Sequence, residues 1–143
     1  MISLNSCASW MVSWPTGLNK PPRQRPIARR GEVWLVTFDT IIGAEIQKRR
    51  PMVVVRRNLT TEYGLTTLVV PLTDSEGKIA SVIRPLIVAG RGSGLSKDSL
   101  AACDQLRCVD RLRLINKLGE LTSPDLGAVV RGLFEILDIG GSN

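Results

Sequence analysis

Arg50-Pro51-Met52-Val53-Val54-Val55 is the stretch on which the fold turns: a cation and a proline open an almost unbroken apolar, β-branched run. Proline fixes φ and brings no amide donor, so it suits a strand start and biases Arg50 before it toward extended backbone at the strand's rim. A run without polar alternation is a strand covered on both faces. It therefore needs a partner on either side. Upstream, Glu32-Val33-Trp34-Leu35-Val36-Thr37-Phe38 supplies one; downstream, Thr66-Thr67-Leu68-Val69-Val70-Pro71-Leu72-Thr73 supplies the other, with Pro71 marking a ladder edge or bulge. Residues 82–88 read as a fourth strand, 99–110 as one or two more, and 117–121 as a last short one. A helix follows, with Ser123 as N-cap, Pro124 at the first helical position and Asp125 in the first turn. Leu126, Val129, Val130, Leu133, Phe134 and Leu137 recur at helical spacing, which predicts one face laid on the sheet. Short strands in succession with one late helix predict a mainly β fold, a small and strongly bent barrel.

A chain of 143 residues supports one domain with a hydrophobic core. The net charge of +6 points to an anionic partner, but its distribution matters more than its sum. Residues 1–30 hold five cations and no acid, leaving fourteen cations against thirteen acids in the remainder. The body is nearly neutral, and its signal is a local cluster around the strand opening at Arg50: Lys48, Arg49, Arg56 and Arg57. Like charges so crowded repel unless an anion sits among them. Residues 15–30 carry four of the eight prolines and five cations, a composition that cannot bury enough apolar surface to order itself. Residues 1–28 are thus expected to be a mobile basic tail, or sequence upstream of the true start, and 140–143 a short C-terminal tail. The domain runs from 29 to 139.

Three cysteines without CxxC spacing and no histidine leave no zinc or copper set and no imidazole base. Cys103 and Cys108, in an apolar-rich segment, read as buried free thiols. With no leader pattern and no run long enough to cross a bilayer, these thiols suggest a cytoplasmic chain that needs no metal or cofactor. The glycine-rich piece 89–94 lacks the following helix, lysine and hydroxyl of a nucleotide-binding loop.

Chemistry then falls to carboxylates, hydroxyls and arginines. Arg50 is a rigid phosphate-binding group at a rim, and Thr73 ends its strand with a hydroxyl able to donate to a phosphate oxygen. Asp104 lies in Ala101-Ala102-Cys103-Asp104-Gln105-Leu106-Arg107, where strand alternation would place it on one face with Ala102 and put Gln105 on the other. A carboxylate among small apolar neighbours wants a partner, and Arg50 would serve. Arg50, Thr73 and Asp104 make a metal-free ribonuclease constellation, a base for the ribose 2′-hydroxyl and two donors for the phosphorane. DNA lacks that nucleophile.

The motif order Arg30-Gly31-Glu32-Val33-Trp34-Leu35-Val36, Gly43-Ala44-Glu45-Ile46, Arg49-Arg50-Pro51, Val69-Val70-Pro71-Leu72-Thr73 and Cys103-Asp104-Gln105-Leu106-Arg107-Cys108-Val109-Asp110 resembles the MazF/PemK/Kid toxin family over residues 29–139. The resemblance implies an SH3-like, PemK/CcdB-like barrel, a homodimer, a cognate antitoxin through whose complex alone DNA would be met, and no membrane partner. It also implies a sequence-specific, metal-independent endoribonuclease on single-stranded RNA that leaves a 2′,3′-cyclic phosphate and a 5′-hydroxyl. Arg50 matches the arginine at the scissile phosphate, Thr73 the threonine after the third strand, and Asp104 the acidic residue proposed as base. Glu45, Lys48, Arg49, Ser75, Gln105 and Arg107 are the expected substrate-binding residues, Glu45 by ordering its loop. Two positions depart from the Kid-like branch: Ala44 stands where that branch has histidine, and Ala102 where it has an arginine proposed as general acid. The alternatives are a CcdB-like gyrase-binding toxin and an inactive RNA-binding barrel.

Overall fold

The structure is a computed structural model that describes residues 24–37, 49–58 and 64–140. Its strands are β1 (Glu32–Thr37), β2 (Arg49–Val54), β3 (Thr66–Asp74), β4 (Leu86–Ile87), β5 (Ser99–Ala101), β6 (Arg107–Asp110) and β7 (Leu114–Glu120), followed by helix α1 (Ser123–Leu137). One antiparallel sheet runs β4-β5-β3-β2-β1-β7, and β6 pairs with β3 beyond β5. The central position of β2 follows from its sequence, since Met52, Val53 and Val54 are all buried.

β3 is the spine. Its far half, 72–74, pairs with β5 and its near half, 66–69, with β6, so these two short strands lie end to end along one edge of β3. Between them the chain leaves the ladder as a 3₁₀ turn, Cys103–Gln105. Pro71 explains where. Its carbonyl accepts from the Ala102 amide at 2.9 Å, and its missing N–H falls where the partner strand departs. The ladder edge or bulge expected at Pro71 is therefore found on the segment paired with it, between β5 and β6.

The sheet bends but its end strands share no ladder. Instead the Gly92 carbonyl accepts from the Glu120 amide at 2.9 Å, tying the loop after β4 to β7. The glycine-rich piece is this tie. Gly94 adopts φ +77° with its Cα against the Leu118 backbone, where any Cβ would collide.

Each face of the sheet has its own core. Val33, Val53, Val70, Leu72 and Ala101 pack with Val129 and Leu133 of α1 on one side. Trp34, Val36, Met52, Val54, Val69, Val109 and Leu114 pack on the other, joined by Ala28. Ala28 belongs to the stretch expected to be a mobile tail, and the described part of that stretch is docked. Arg25 grips Asp110 through Nε at 2.9 Å and Nη2 at 3.1 Å, and Arg111 donates to the Pro26 carbonyl. Buried Glu32 accepts from the Arg29 amide at 2.7 Å and from Trp34 Nε1 at 3.1 Å, and pairs with Lys117 at 2.8 Å. Burial alone would raise its carboxyl, yet Lys117 and these donors hold it below the ordinary glutamate value.

Several local expectations shift. The strand expected over 82–88 contracts to Leu86–Ile87, and the last strand lengthens to Leu114–Glu120. Thr122, not Ser123, caps α1 by accepting from the Asp125 amide. Only the first half of the helical stripe is covered: Val129 and Leu133 are buried, whereas Phe134 and Leu137 are about half exposed, with Ile139 just beyond. The helix overruns the small sheet. Cys103 is buried beneath α1, its thiol donating to the Val129 carbonyl and pushed up to about 11 by burial, but Cys108 is exposed. Among the described residues no helix is long and apolar enough to cross a membrane.

Candidate active site

Arg50 stands in the β1–β2 ladder opposite Val36. The β2–β3 ladder ends at Met52 and Pro71; its register carried two residues further would set Arg50 across from Thr73, which is paired with Leu100 of β5. Val36 is paired with Arg50 and Thr73 with Leu100, so in that continued register the four fall in one row, in which opposite side chains share a face. Paired strands are about 4.8 Å apart, which would bring guanidinium and hydroxyl within reach of one anion. Arg50 is exposed and Thr73 half-buried, its Oγ1 donating weakly to the Leu100 carbonyl at 3.4 Å. A better acceptor, such as a phosphate oxygen, would draw that hydroxyl away.

The remaining candidates scatter around this row. Arg49 pairs with Thr37 on β1 and, one residue from Arg50, points to the other face. On that other face a cavity of about 190 Å³ is lined by Pro51, Leu72, Asp74 and Lys97 among others. It is separated from Arg50 and Thr73 by the sheet. Ser75 is committed to the turn beside it, bonding the Asp98 carbonyl through its amide and its hydroxyl. Arg107 is paired with Val69, on the face of Arg50 but two rows further on, roughly 13 Å along the strand at about 3.3 Å per residue. Glu45 and Lys48, together with Ala44, lie outside the described residues.

Asp104 is where the sequence reading fails. It is not on a strand, so alternation does not govern it; it sits with exposed Gln105 in the 3₁₀ turn, outside the Arg50 row. Nor is Arg50 its partner. Arg84 takes that place, with Nη2 2.8 Å from Asp104 Oδ2, and holds the carboxyl below the ordinary aspartate value. Arg84 went unnoticed because it is twenty residues away in sequence and lies in a segment read as strand, where nothing local marks an ionic partner. The one available signal was Arg84-Pro85, the same dipeptide that opens β2 at Arg50-Pro51.

The rim thus holds an arginine and a hydroxyl poised for an anion, and a nearby carboxylate kept ionised. A model of the family described as PemK-like, MazF-like toxin of type II toxin-antitoxin system matches residues 29–137. Endoribonuclease MazF9 of Mycobacterium tuberculosis is 32% identical over 116 residues, spanning 78% of this chain and 97% of that protein. Endoribonuclease MazF of Staphylococcus epidermidis is 31% identical over 90 residues, spanning 63% of this chain and 74% of that protein. Among solved structures, MazE–MazF from Deinococcus radiodurans superposes with a TM-score of 0.65 at 20% identity, covering 80% of this chain and 99% of that one. An endoribonuclease in complex with its cognate antitoxin from a mycobacterial species gives 0.62 at 17% identity, with coverages of 80% and 99%. At such identities the superpositions speak for the fold.

Proposed function

The chain belongs to the PemK-like, MazF-like toxins of type II toxin–antitoxin systems, and we propose that it is an endoribonuclease that cuts single-stranded RNA by internal transesterification. The observation that supports this reading is the β2–β3 register, which, continued from Met52 and Pro71, sets Arg50 opposite Thr73. Together they cradle the scissile phosphate, the guanidinium giving paired donors to two non-bridging oxygens and the hydroxyl a third. Asp104, ionised across the physiological range, takes the proton of the ribose 2′-hydroxyl. The 2′-oxygen bonds to phosphorus, the bond from phosphorus to the 5′-oxygen breaks, and water supplies the proton that completes the 5′-hydroxyl. The products are a 2′,3′-cyclic phosphate and a 5′-hydroxyl. The charge needed at phosphorus comes from arginine, so the reaction needs no metal.

Sequence selectivity belongs to base contacts around this rim, for which Gln105 and Arg107, with Glu45 and Lys48, are the proposed residues; Arg49 faces the other side of the sheet and Ser75 is held by Asp98. The half-exposed Phe134, Leu137 and Ile139 at the end of α1 support an interface with another chain, a second copy or the antitoxin. Purified protein incubated with RNA in EDTA tests the chemistry by end-group analysis. Cyclic phosphate and 5′-hydroxyl ends are expected, and they should vanish in a folded Arg50→Ala variant; intact RNA from the wild type removes the nuclease reading.

A further inference from the structure

The bond between Arg84 and Asp104 is held in place by backbone on both sides. β4 and β5 pair Leu86 with Leu100, and the register continues past the end of β4: the Pro85 carbonyl accepts from the Ala101 amide at 3.0 Å, and the Ile83 carbonyl from the Cys103 amide at 3.2 Å. Arg84 is therefore seated alongside Ala102. Ala102 in turn donates to Pro71, which pairs with Met52, so Met52, Pro71, Ala102 and Arg84 form the row next to that of Arg50 and Thr73. Rows on one face are about 6.6 Å apart, so Arg84, two strand spacings or roughly 10 Å from Pro71, is about 12 Å from Thr73. That is nearer along the sheet than Arg107.

Ala102 is fully buried and its methyl brings no charge to the row. Where the Kid-like branch has an arginine at the position of Ala102, this chain carries Arg84 alongside it. Side chains of Arg84 and Asp104 are each about one-third exposed. A pair so exposed adds little to folding, which leaves its fixed placement at the site edge to be explained otherwise. Arg84 meets Asp104 through Nη2 alone, and a guanidinium carries five N–H donors.

Resting on the nuclease reading above, we propose that Arg84 is the second arginine of the active site, orienting Asp104 toward the 2′-hydroxyl while its remaining donors stabilise negative charge on the leaving 5′-oxygen. Arginine is too weak an acid to surrender its own proton. It lowers the cost of the departing alkoxide, and water protonates it as the bond from phosphorus breaks. The charged or titratable groups recorded against Asp104 among the described residues are Arg84 and the buried Cys103 thiol. The thiol stays neutral near pH 7, so Arg84 alone governs the carboxylate.

The test is the cleavage of a short single-stranded RNA by wild type, Arg84→Ala and Arg84→Lys, with Arg50→Ala alongside, followed from pH 3 to pH 8. Arg84→Ala should lower kcat by about 10²-fold with little change in KM, as loss of one transition-state donor does. Its acid limb should move to higher pH, because Asp104 loses the cation that keeps it ionised. Arg84→Lys should keep the limb while recovering only part of the rate. If Arg84→Ala does not fold, Arg84→Gln carries the same two expectations. A wild-type rate and limb in a folded Arg84 variant, with Arg50→Ala inactive, overturns the role of Arg84 and leaves the phosphate cradle standing. Full activity in Arg50→Ala overturns the phosphate cradle on which the role of Arg84 rests, and intact RNA with the wild type overturns the nuclease reading and that role with it.

Discussion

Two arginine–aspartate pairs of nearly equal exposure do different work in this chain. Arg25 and Asp110 meet fork to fork at 2.9 and 3.1 Å, and Asp110 also caps the 3₁₀ turn that follows it by accepting from the Leu112 amide at 2.8 Å. Arg84 and Asp104 meet once, at 2.8 Å. Their side chains are 31% and 37% exposed in the first pair, 34% and 33% in the second, so burial does not separate them. Geometry does: the first pair uses both carboxylate oxygens and closes a strap over a core, whereas the second engages a single guanidinium nitrogen and a single carboxylate oxygen. An ion pair is a structural device when its hydrogen-bonding capacity is consumed, and a candidate for chemistry when it is not.

Exchanging the two carboxylates for amides breaks this comparison most sharply. Asp104→Asn should cut RNA cleavage by about 10²- to 10⁴-fold, the range for loss of a general base, with the melting temperature nearly unchanged. Asp110→Asn should do the reverse, keeping activity per folded molecule while melting earlier. Single-turnover cleavage and thermal unfolding on the same samples decide it, and parallel losses in both variants would erase the distinction.

The structural end can be tested more deeply at Glu32, whose carboxylate serves Arg29, Trp34 and Lys117 together. Glu32→Ala strands a buried indole N–H and a backbone amide, and should cost about 2–4 kcal/mol in urea unfolding at two unsatisfied groups of about 1–2 kcal/mol each. A loss below about 1 kcal/mol would show that water replaces the carboxylate.

The smallest effect is one of pH. Glu32 and Asp110 are both held below their ordinary values in the folded chain, by Lys117 and Arg25 respectively. Their stabilisation is therefore complete above the unfolded carboxylate values near 4 and is lost as pH falls through the lower folded values. Asp110→Asn should flatten the acid limb of the stability curve, with a cost at neutral pH of about 1 kcal/mol or less because the pair is over one-third exposed at the carboxylate. An unchanged acid limb would mean that the strap opens before Asp110 is protonated.

Much of this molecule was legible in the sequence because its signals are local. The apolar run after Pro51 specified a central strand, Pro71 a ladder defect, and Thr122-Ser123-Pro124 a helix start to within one residue. Composition misled where docking depends on contacts made far along the chain: proline and arginine content described residues 24–28 as mobile, but Ala28 fills a core and Arg25 finds a carboxylate 85 positions away.

The sequence by itself determined most of the strands, the closing helix and the family. Only the tertiary structure decided the partner of Asp104, because that partner depends on the register of β4 against β5 and on a turn that takes Asp104 off the strand. Periodicity is written in neighbours, whereas register is set by backbone hydrogen bonds between segments that chain order alone does not align.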